Sequence, residues 1–315
     1  MSNILVVKKK IKKFNKKIFV SGDKSISIRW VLLSSLANGV SEAKNLLISE
    51  DVLAAINCIK KLGIKVSIKN NSCKIFGKGI NGYKFKKNII LNAENSGTLG
   101  RLILGLLINS QHTIKLIGDK SLSKRDFKRV TDPLSRFGAK FKLKNKKNLP
   151  IKITGIANPK SINYYEKRGS AQCKSSIMFA GMRSNGTTVI NAKKSRNHTE
   201  LLCKYLKLPI RIKNKILSDE IKINKVKKIS PINYKIPSDI SSSAFFMVLT
   251  ALSKNSNLVI KNVNINSSRT GIITILKKMG VKIHFKNIKT YKGEKNADIR
   301  IQSAKTLKAI NCPTR

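Results

Sequence analysis

Four short segments rich in Ser, Gly and Thr each stand immediately ahead of an apolar run. They are Gly22-Asp-Lys-Ser-Ile-Ser27, Asn95-Ser-Gly-Thr98, Gly169-Ser-Ala-Gln172 and Pro237-Ser-Asp-Ile-Ser-Ser242. Residues of these types at a helix start leave backbone N–H groups open at the positive end of the macrodipole, and their hydroxyls add donors. Such an opening suits a phosphate or a carboxylate. One alone is only an N-cap; four at equivalent places in a repeating chain point to a common anion site. Cations stand beside them. Lys24 and Arg29 flank the first opening, Arg101 follows the second, and Arg125 is placed at the start of an amphipathic helix. Any single Lys or Arg in so basic a chain is ordinarily a solvated surface charge. Asp119 and Asp239 suit helix caps.

The elements that position these residues recur. Ile59-Lys-Lys-Leu-Gly-Ile-Lys-Val66, Leu134-Ser-Arg-Phe-Gly-Ala-Lys-Phe141 and Leu276-Lys-Lys-Met-Gly-Val-Lys-Ile283 share one pattern. Each reads as the last turn of an amphipathic helix, a Gly in the left-handed position past its end, and an alternating strand. Gly63 and Gly138 are 75 residues apart, and Gly138 and Gly280 are 142 apart, close to double. A weaker copy belongs between them, and Leu206-Lys-Leu-Pro-Ile-Arg-Ile212 fills it with the Gly lost. The unit is about 70 residues and reads as βαβαββ. One such unit buries too little alone, so several must pack together. The expected organisation is a complete domain over 21–236, made of units at about 21–91, 92–160 and 161–236. Residues 1–20 with 237–315 would supply part of a second domain, one unit of three. On that count the chain reads as a fragment of a parent of about 430 residues, with apolar surface left exposed in its second domain.

Composition narrows the function classes. The 315 residues are 41% hydrophobic, enough for a real core, and no apolar run is long enough to cross a membrane. Lys plus Arg number 65 against 15 acidic residues, a formal charge of +50. That excess is spread along the whole chain, and no basic stretch is interleaved with stacking aromatics, which argues against a nucleic-acid partner. Five scattered cysteines without a C-x-x-C and three histidines without ligand spacing argue against a disulfide framework or a metal site. The lysines from Lys8 to Lys13 precede no signal-peptide apolar core and lead into a strand ending at Phe19 and Val20. A cytoplasmic, monomeric protein is expected.

In this order, the motifs resemble the 3-phosphoshikimate 1-carboxyvinyltransferase (EPSP synthase) family. The resemblance is carried by Gly22-Asp-Lys-Ser-Ile-Ser-Ile-Arg29, Asn95-Ser-Gly-Thr98 with Arg101, and Gly118-Asp-Lys-Ser-Leu with Arg125. It continues through Ser170-Ala-Gln172 with Lys174-Ser175, Ser195-Arg-Asn-His-Thr-Glu200, Ile236-Pro-Ser-Asp-Ile-Ser-Ser242 and Ser268-Arg-Thr-Gly271. It implies an α/β fold of two inverse α/β barrel-like domains. The implied reaction is transfer of the enolpyruvyl group of phosphoenolpyruvate to the 5-hydroxyl of shikimate 3-phosphate with release of phosphate, in aromatic amino-acid synthesis, without metal or organic cofactor. By motif, Lys24, Ser25, Arg29, Ser170, Ala171, Gln172 and Ser195 would hold shikimate 3-phosphate. Lys24, Asn95, Gly97, Thr98, Arg125 and Gln172 would face phosphoenolpyruvate, with Lys24 touching both substrates. Asp239 and Arg101 would support the architecture, as a pair across the cleft.

The sequence departs from the family pattern at Ile28, where a His is usual, at Asn197, where an Asp is usual, and at Asp126, where a Pro is usual. Asp126 places a carboxylate beside an arginine meant for an anion. The family's acid/base Asp, two arginines and a late lysine lie beyond a segment like Leu307-Lys-Ala-Ile310, so they have no counterpart before Arg315, and a chain of this length is expected to be inactive. The rival readings are an inactive fragment that binds shikimate 3-phosphate, the sister UDP-N-acetylglucosamine enolpyruvyl transferase, and a charge-driven nucleic-acid binder. The sister family lacks the Asp-Lys-Ser opening and usually has a reactive loop cysteine, which is not found.

Overall fold

The computed structural model describes residues 6, 8 and 11–311; Lys9, Lys10 and Cys312, read above from sequence, lie outside the described residues. A first strand, β1 (Asn15–Phe19), precedes four runs of one element order. The first run is α1 (Lys24–Ser35), β2 (Asn38–Lys44), α2 (Glu50–Lys61), β3 (Lys65–Lys69) and β4 (Ser72–Lys78). The second is β5 (Ile90–Asn92), α3 (Gly97–Leu106), β6 (Ile114–Ile117), α4 (Lys128–Ser135), β7 (Lys140–Lys144) and β8 (Asn148–Thr154). The third is β9 (Asn163–Glu166), α5 (Ala171–Gly181), β10 (Thr187–Lys193), α6 (His198–Tyr205), β11 (Ile210–Asn214) and β12 (Ser218–Asn224). The fourth is β13 (Tyr234–Lys235), α7 (Ile240–Leu252), β14 (Asn257–Asn264), α8 (Gly271–Lys278), β15 (Ile283–Tyr291) and β16 (Glu294–Gln302). No helix among the described residues is long and apolar enough to cross a membrane.

The four sheets share one strand order: β13-β2-β4-β3, β5-β6-β8-β7, β9-β10-β12-β11 and β1-β14-β16-β15. In each, the leading strand is parallel to its neighbour and the other pairings are antiparallel. Two leading strands are exchanged. β13, which precedes α7 in the chain, pairs with β2, and β1, which precedes α1, pairs with β14. β5 spans the position where sequence places a boundary, at 91/92, and its pairing with β6 assigns it wholly to the second sheet.

The chain divides into one unit of Gly22–Ile236 and another built from the described residues up to Ser21 with those from Pro237 onward. In the first unit, α1, α3 and α5 are buried nearly all round, which is how a helix in the middle of a core must look. The sheets lie outside them, with polar residues such as those of β3 turned to solvent. The segment after β12 returns to the first sheet. Asn38 N donates to Ile229 O (2.8 Å), and Ile236 N donates to Lys44 O (2.9 Å). Fully buried Trp30 of α1 donates its indole N–H to Ile232 O (2.8 Å). The buried helices approach closely because small residues face each other: a Cβ on Gly105 of α3 would overlap the Ser176 carbonyl of α5.

The second unit has its own core of Ile240, Met247, Leu258, Ile260 and Ile299 among others. Its helix α7 takes the place of α1 in the repeat but not its burial, since Phe245 is 80% and Leu252 67% exposed.

The left-handed position after each amphipathic helix survives the loss of glycine. Gly63, Gly138 and Gly280 have φ of 87°, 106° and 95°, and Lys207 holds the same place at φ 52°. A Lys in that conformation is strained by its Cβ. Lys207→Gly is therefore expected to stabilise the protein by a net ~0.5–1 kcal/mol, after allowing for the unfolded-state freedom of Gly. Gly105→Ala is expected to cost about 2 kcal/mol through overpacking. Urea midpoints at constant m-value read both; movement of either in the opposite direction contradicts the packing described.

Candidate functional site

The three buried helices of the Gly22–Ile236 unit begin with side-chain caps. Asp23 Oδ1 accepts from Ile26 N (3.0 Å), Ser96 Oγ from Leu99 N (3.3 Å) and Ser170 Oγ from Cys173 N (3.2 Å). Each cap takes one first-turn N–H, and the positive end of the helix remains turned outward. The turn into α5 is fixed by Glu166, which is buried and accepts from Ser170 N (2.8 Å) and Arg168 N (3.2 Å).

Two hydrogen-bonded clusters join these helices. In the first, Arg29 of α1 is 3% exposed. It donates to Thr199 Oγ1 of α6 (2.7 Å), Ser175 Oγ of α5 (3.1 Å) and Ser25 O (3.0 Å). The Ser175 and Thr199 hydroxyls lie 2.7 Å apart. Beside them, Lys174 of α5 and Glu200 of α6 form an ion pair at 2.6 Å with 0% and 4% of their side chains exposed. In the second cluster, Gln172 of α5 accepts from Arg101 Nη1 (2.9 Å) and donates to Thr98 Oγ1 (3.0 Å), both on α3. Arg101 also donates to Gly97 O (3.1 Å) and Asp126 O (3.2 Å) and lies over the Phe127 ring.

Gly97 is the meeting point of two guanidiniums. A Cβ there would lie 2.8 Å from Arg101 Nη1 and 3.1 Å from Arg125 Nη1. Arg125 is exposed and donates to Asn95 Oδ1 (3.0 Å), and Asn95 Nδ2 donates to Asp119 Oδ2 (2.7 Å). Burial first, then the charges of Arg129 and Arg125, pushes the Arg101 guanidinium down to about 10. It stays charged at neutral pH, and its environment penalises that charge, a penalty that a nearby anion relieves.

Among the residues singled out by sequence, the structure thus groups Arg29 with Ser25, and Asn95, Gly97, Thr98, Arg125 and Gln172 with Arg101. Ala171 is the first residue of α5, next to its cap Ser170. Ser195 Oγ is buried without a hydrogen-bond partner among the described residues. Lys24 is half exposed with its amine 3.5 Å from Asp51 Oδ2 of α2.

Asp239 caps α7 and accepts from Arg269 Nη2 (3.0 Å) in its own unit. One expectation is corrected. Arg125 does not start a helix. It lies in extended backbone (φ −78°, ψ 149°) after a short 3₁₀ turn capped by Asp119, and α4 begins at Lys128. Asp126 Oδ1 accepts from Lys128 N (2.7 Å), and the carboxylate keeps its charge near Arg101. The sequence reading did not assign Thr199, Ser175, Glu166 or Arg129 to the site. Thr199 and Ser175 lie inside motifs already quoted, so their types were visible; their partner Arg29, 170 and 146 residues away, was not.

Buried helices with capped openings, repeated with one sheet order, define an α/β repeat protein. The chain belongs to the EPSP synthase family: the family profile EPSP synthase (3-phosphoshikimate 1-carboxyvinyltransferase) matches residues 8–315. It is 44% identical over 288 residues to the 3-phosphoshikimate 1-carboxyvinyltransferase of Caldicellulosiruptor bescii, covering 90% of this chain and 65% of that protein. It is 42% identical over 297 residues to that of Vesicomyosocius okutanii, covering 93% and 66%. The solved EPSP synthase of Acinetobacter baumannii superposes with a TM-score of 0.86 at 36% identity, over 96% of this chain and 67% of that one. The chain therefore spans about two thirds of the length of the relatives it matches.

Asp126 lowers the positive field at Arg101 while also capping α4. Asp126→Asn can keep an acceptor at that position and removes the charge. It is expected to tighten inorganic phosphate binding about two- to threefold at low salt, with the gain shrinking as salt rises. Calorimetric titration reads it; weaker phosphate binding in the variant contradicts the geometry.

Proposed function

We propose that this chain takes part in enolpyruvyl transfer from phosphoenolpyruvate to the 5-hydroxyl of shikimate 3-phosphate. The observation that carries the reading is the pair of clusters joining α1, α3, α5 and α6 behind three helix openings. Both substrates are anions, so the reaction needs fixed positive charge that holds them together against their repulsion. Arg29, held by Ser25, Ser175 and Thr199, offers shikimate 3-phosphate a fixed charge rather than a mobile arm. Ser25, Ser170, Ala171, Gln172 and Ser195 complete that side with hydroxyls, an amide and backbone N–H groups. Asn95, Gly97, Thr98 and Arg125 form the phosphoenolpyruvate side. Gln172 reaches both, because it bridges α5 to Arg101 and Thr98. Lys24, at the mouth of α1, is the group suited to touch both anions and to move a proton.

The proposed setting is the reducing cytoplasm. Cys58, Cys73 and Cys173 are buried free thiols pushed up to about 12 by burial, which makes them inert. A second reading, binding of shikimate 3-phosphate without turnover, is favoured by one fact: every residue given a ligand contact above lies in the Gly22–Ile236 unit.

Titration with shikimate 3-phosphate followed by phosphoenolpyruvate decides between them. Saturable heat with the first and phosphate release with the second establishes the transfer. Heat without release leaves the binding-only reading, and no heat removes both. Release with UDP-N-acetylglucosamine as acceptor instead removes the assignment of the acceptor. Arg29→Ala, checked for folding by circular dichroism, is expected to weaken shikimate 3-phosphate binding more than about tenfold. An unchanged dissociation constant removes Arg29 from the site.

A further inference from the structure

The helices whose first turns form the candidate site also have an opposite end, about 15 Å away at 1.5 Å per residue. There the C-terminal ends of α3 and α5 meet the segment after β4 around a cavity of about 590 Å³. Its walls include the aromatic rings of Tyr83, Phe85 and His112, the aliphatic Leu106 and the amide of Asn109. Phe85 and His112 meet edge to face, with centroids 6.2 Å apart. Tyr83 is anchored by a 2.7 Å hydrogen bond between its hydroxyl and Ser35 Oγ at the end of α1. No Asp or Glu is among the described residues lining it.

Arg183, two residues beyond α5, also lines this cavity and is 6% exposed. Its Nη1 donates to Asn109 Oδ1 (3.0 Å), and its guanidinium lies over the Tyr83 ring at 5.6 Å. Its Nε and Nη2 are buried without a hydrogen-bond partner. Those two N–H donors share one edge of the guanidinium, spaced to match the two oxygens of a carboxylate. Leaving a buried, charged donor pair unmet is costly. The carbonyl ends of α3 and α5 offset part of the charge through their dipoles, but none of them accepts from the open edge.

We propose that this cavity is a second ligand site, distinct from the helix openings, for a small carboxylate carrying a planar ring. The carboxylate pairs with Arg183 and is attracted by Lys84, which also lines the wall, and the ring lies among Tyr83, Phe85 and His112. Both open Arg183 atoms are covered by protein, so engagement requires a side-chain shift that gives up the bond to half-buried Asn109 and the place over the Tyr83 ring. That shift and the opposing helix ends keep the affinity modest, with a dissociation constant on the order of 1 mM.

Benzoate is the probe, and the Hε1 signals of the three histidines are the readout, with His112 assigned by its loss in His112→Gln. Only His112 lines the cavity; His198 begins α6 and His284 lies in β15. Benzoate at constant pH is expected to shift the His112 signal saturably and to leave the His198 and His284 signals in place. Benzamide, the uncharged isostere, should leave all three unmoved. Arg183→Gln should abolish the His112 response, and so should Ala157→Phe, which fills the cavity from an exposed position without touching the core. No shift of His112, an equal response to benzamide, or an unchanged response in Ala157→Phe or folded Arg183→Gln overturns the proposal. A shift of His198 alone assigns benzoate to the helix openings and overturns it equally.

Discussion

The close approach of α3 and α5 sets the geometry of everything else in the Gly22–Ile236 unit. Gly105 lies against the Ser176 carbonyl with no room for a side chain, and Ser176 Oγ in turn donates to Arg101 O (2.8 Å). Two helices held that near each other bring their first turns within reach of a single glutamine side chain. Gln172 can then accept from Arg101 and donate to Thr98 at once. An amide is suited to this double role because it carries an acceptor and donors on one planar group. A carboxylate there would neutralise Arg101, and a Leu would leave both partners unmet. The glycine and the glutamine are therefore one device, the first setting a distance and the second using it.

The electrostatic consequence is a concentration of charge that the fold does not cancel. The charges of Arg129 and Arg125 act on Arg101, and Asp126, whose carboxylate also accepts from Lys128 N, acts against them. Compare the Lys174–Glu200 pair, buried between α5 and α6 at 2.6 Å. A buried pair of opposite charges fixes geometry and offers little net charge to a ligand. The open arginine cluster does the reverse, being tolerable in the empty protein and better in the presence of an anion. Arg29 stands between the two cases. Its donors are occupied by neutral hydroxyls and a carbonyl, which orient the guanidinium without removing its charge.

Much of the repeat was legible from sequence because its signals are local. A Gly past a helix end and a capped helix start are written within a few residues, so Gly63, Gly138 and Gly280 marked the period, and Asp23, Ser96, Ser170 and Asp239 marked the helix starts. Even the degenerate third copy kept its backbone shape, with Lys207 in the left-handed region that the missing Gly would have favoured. Pairings over long distance were not legible. The exchange of β1 and β13 follows from which sheet edges are open in three dimensions, and two residues of Tyr234–Lys235 carry no trace of their partner. The partner of Asp239 is of the same kind. Charge tells that an aspartate needs a partner, and only packing shows that Arg269, with Ser241 beside it, reaches it.

The net charge of +50 illustrates how little composition locates a site. Most of the lysines are solvated and interact weakly with anything beyond a Debye length. What distinguishes Arg29, Arg101 and Arg183 is burial, at 3%, 4% and 6% exposure. A buried guanidinium must be met by acceptors, and the way each is met gives it a different meaning. Arg29 is met by hydroxyls from two helices and a carbonyl of its own helix, Arg101 by a glutamine and two carbonyls, and Arg183 by one amide alone. The count of satisfied donors, rather than the count of positive charges, ranks these positions by what they still have to offer.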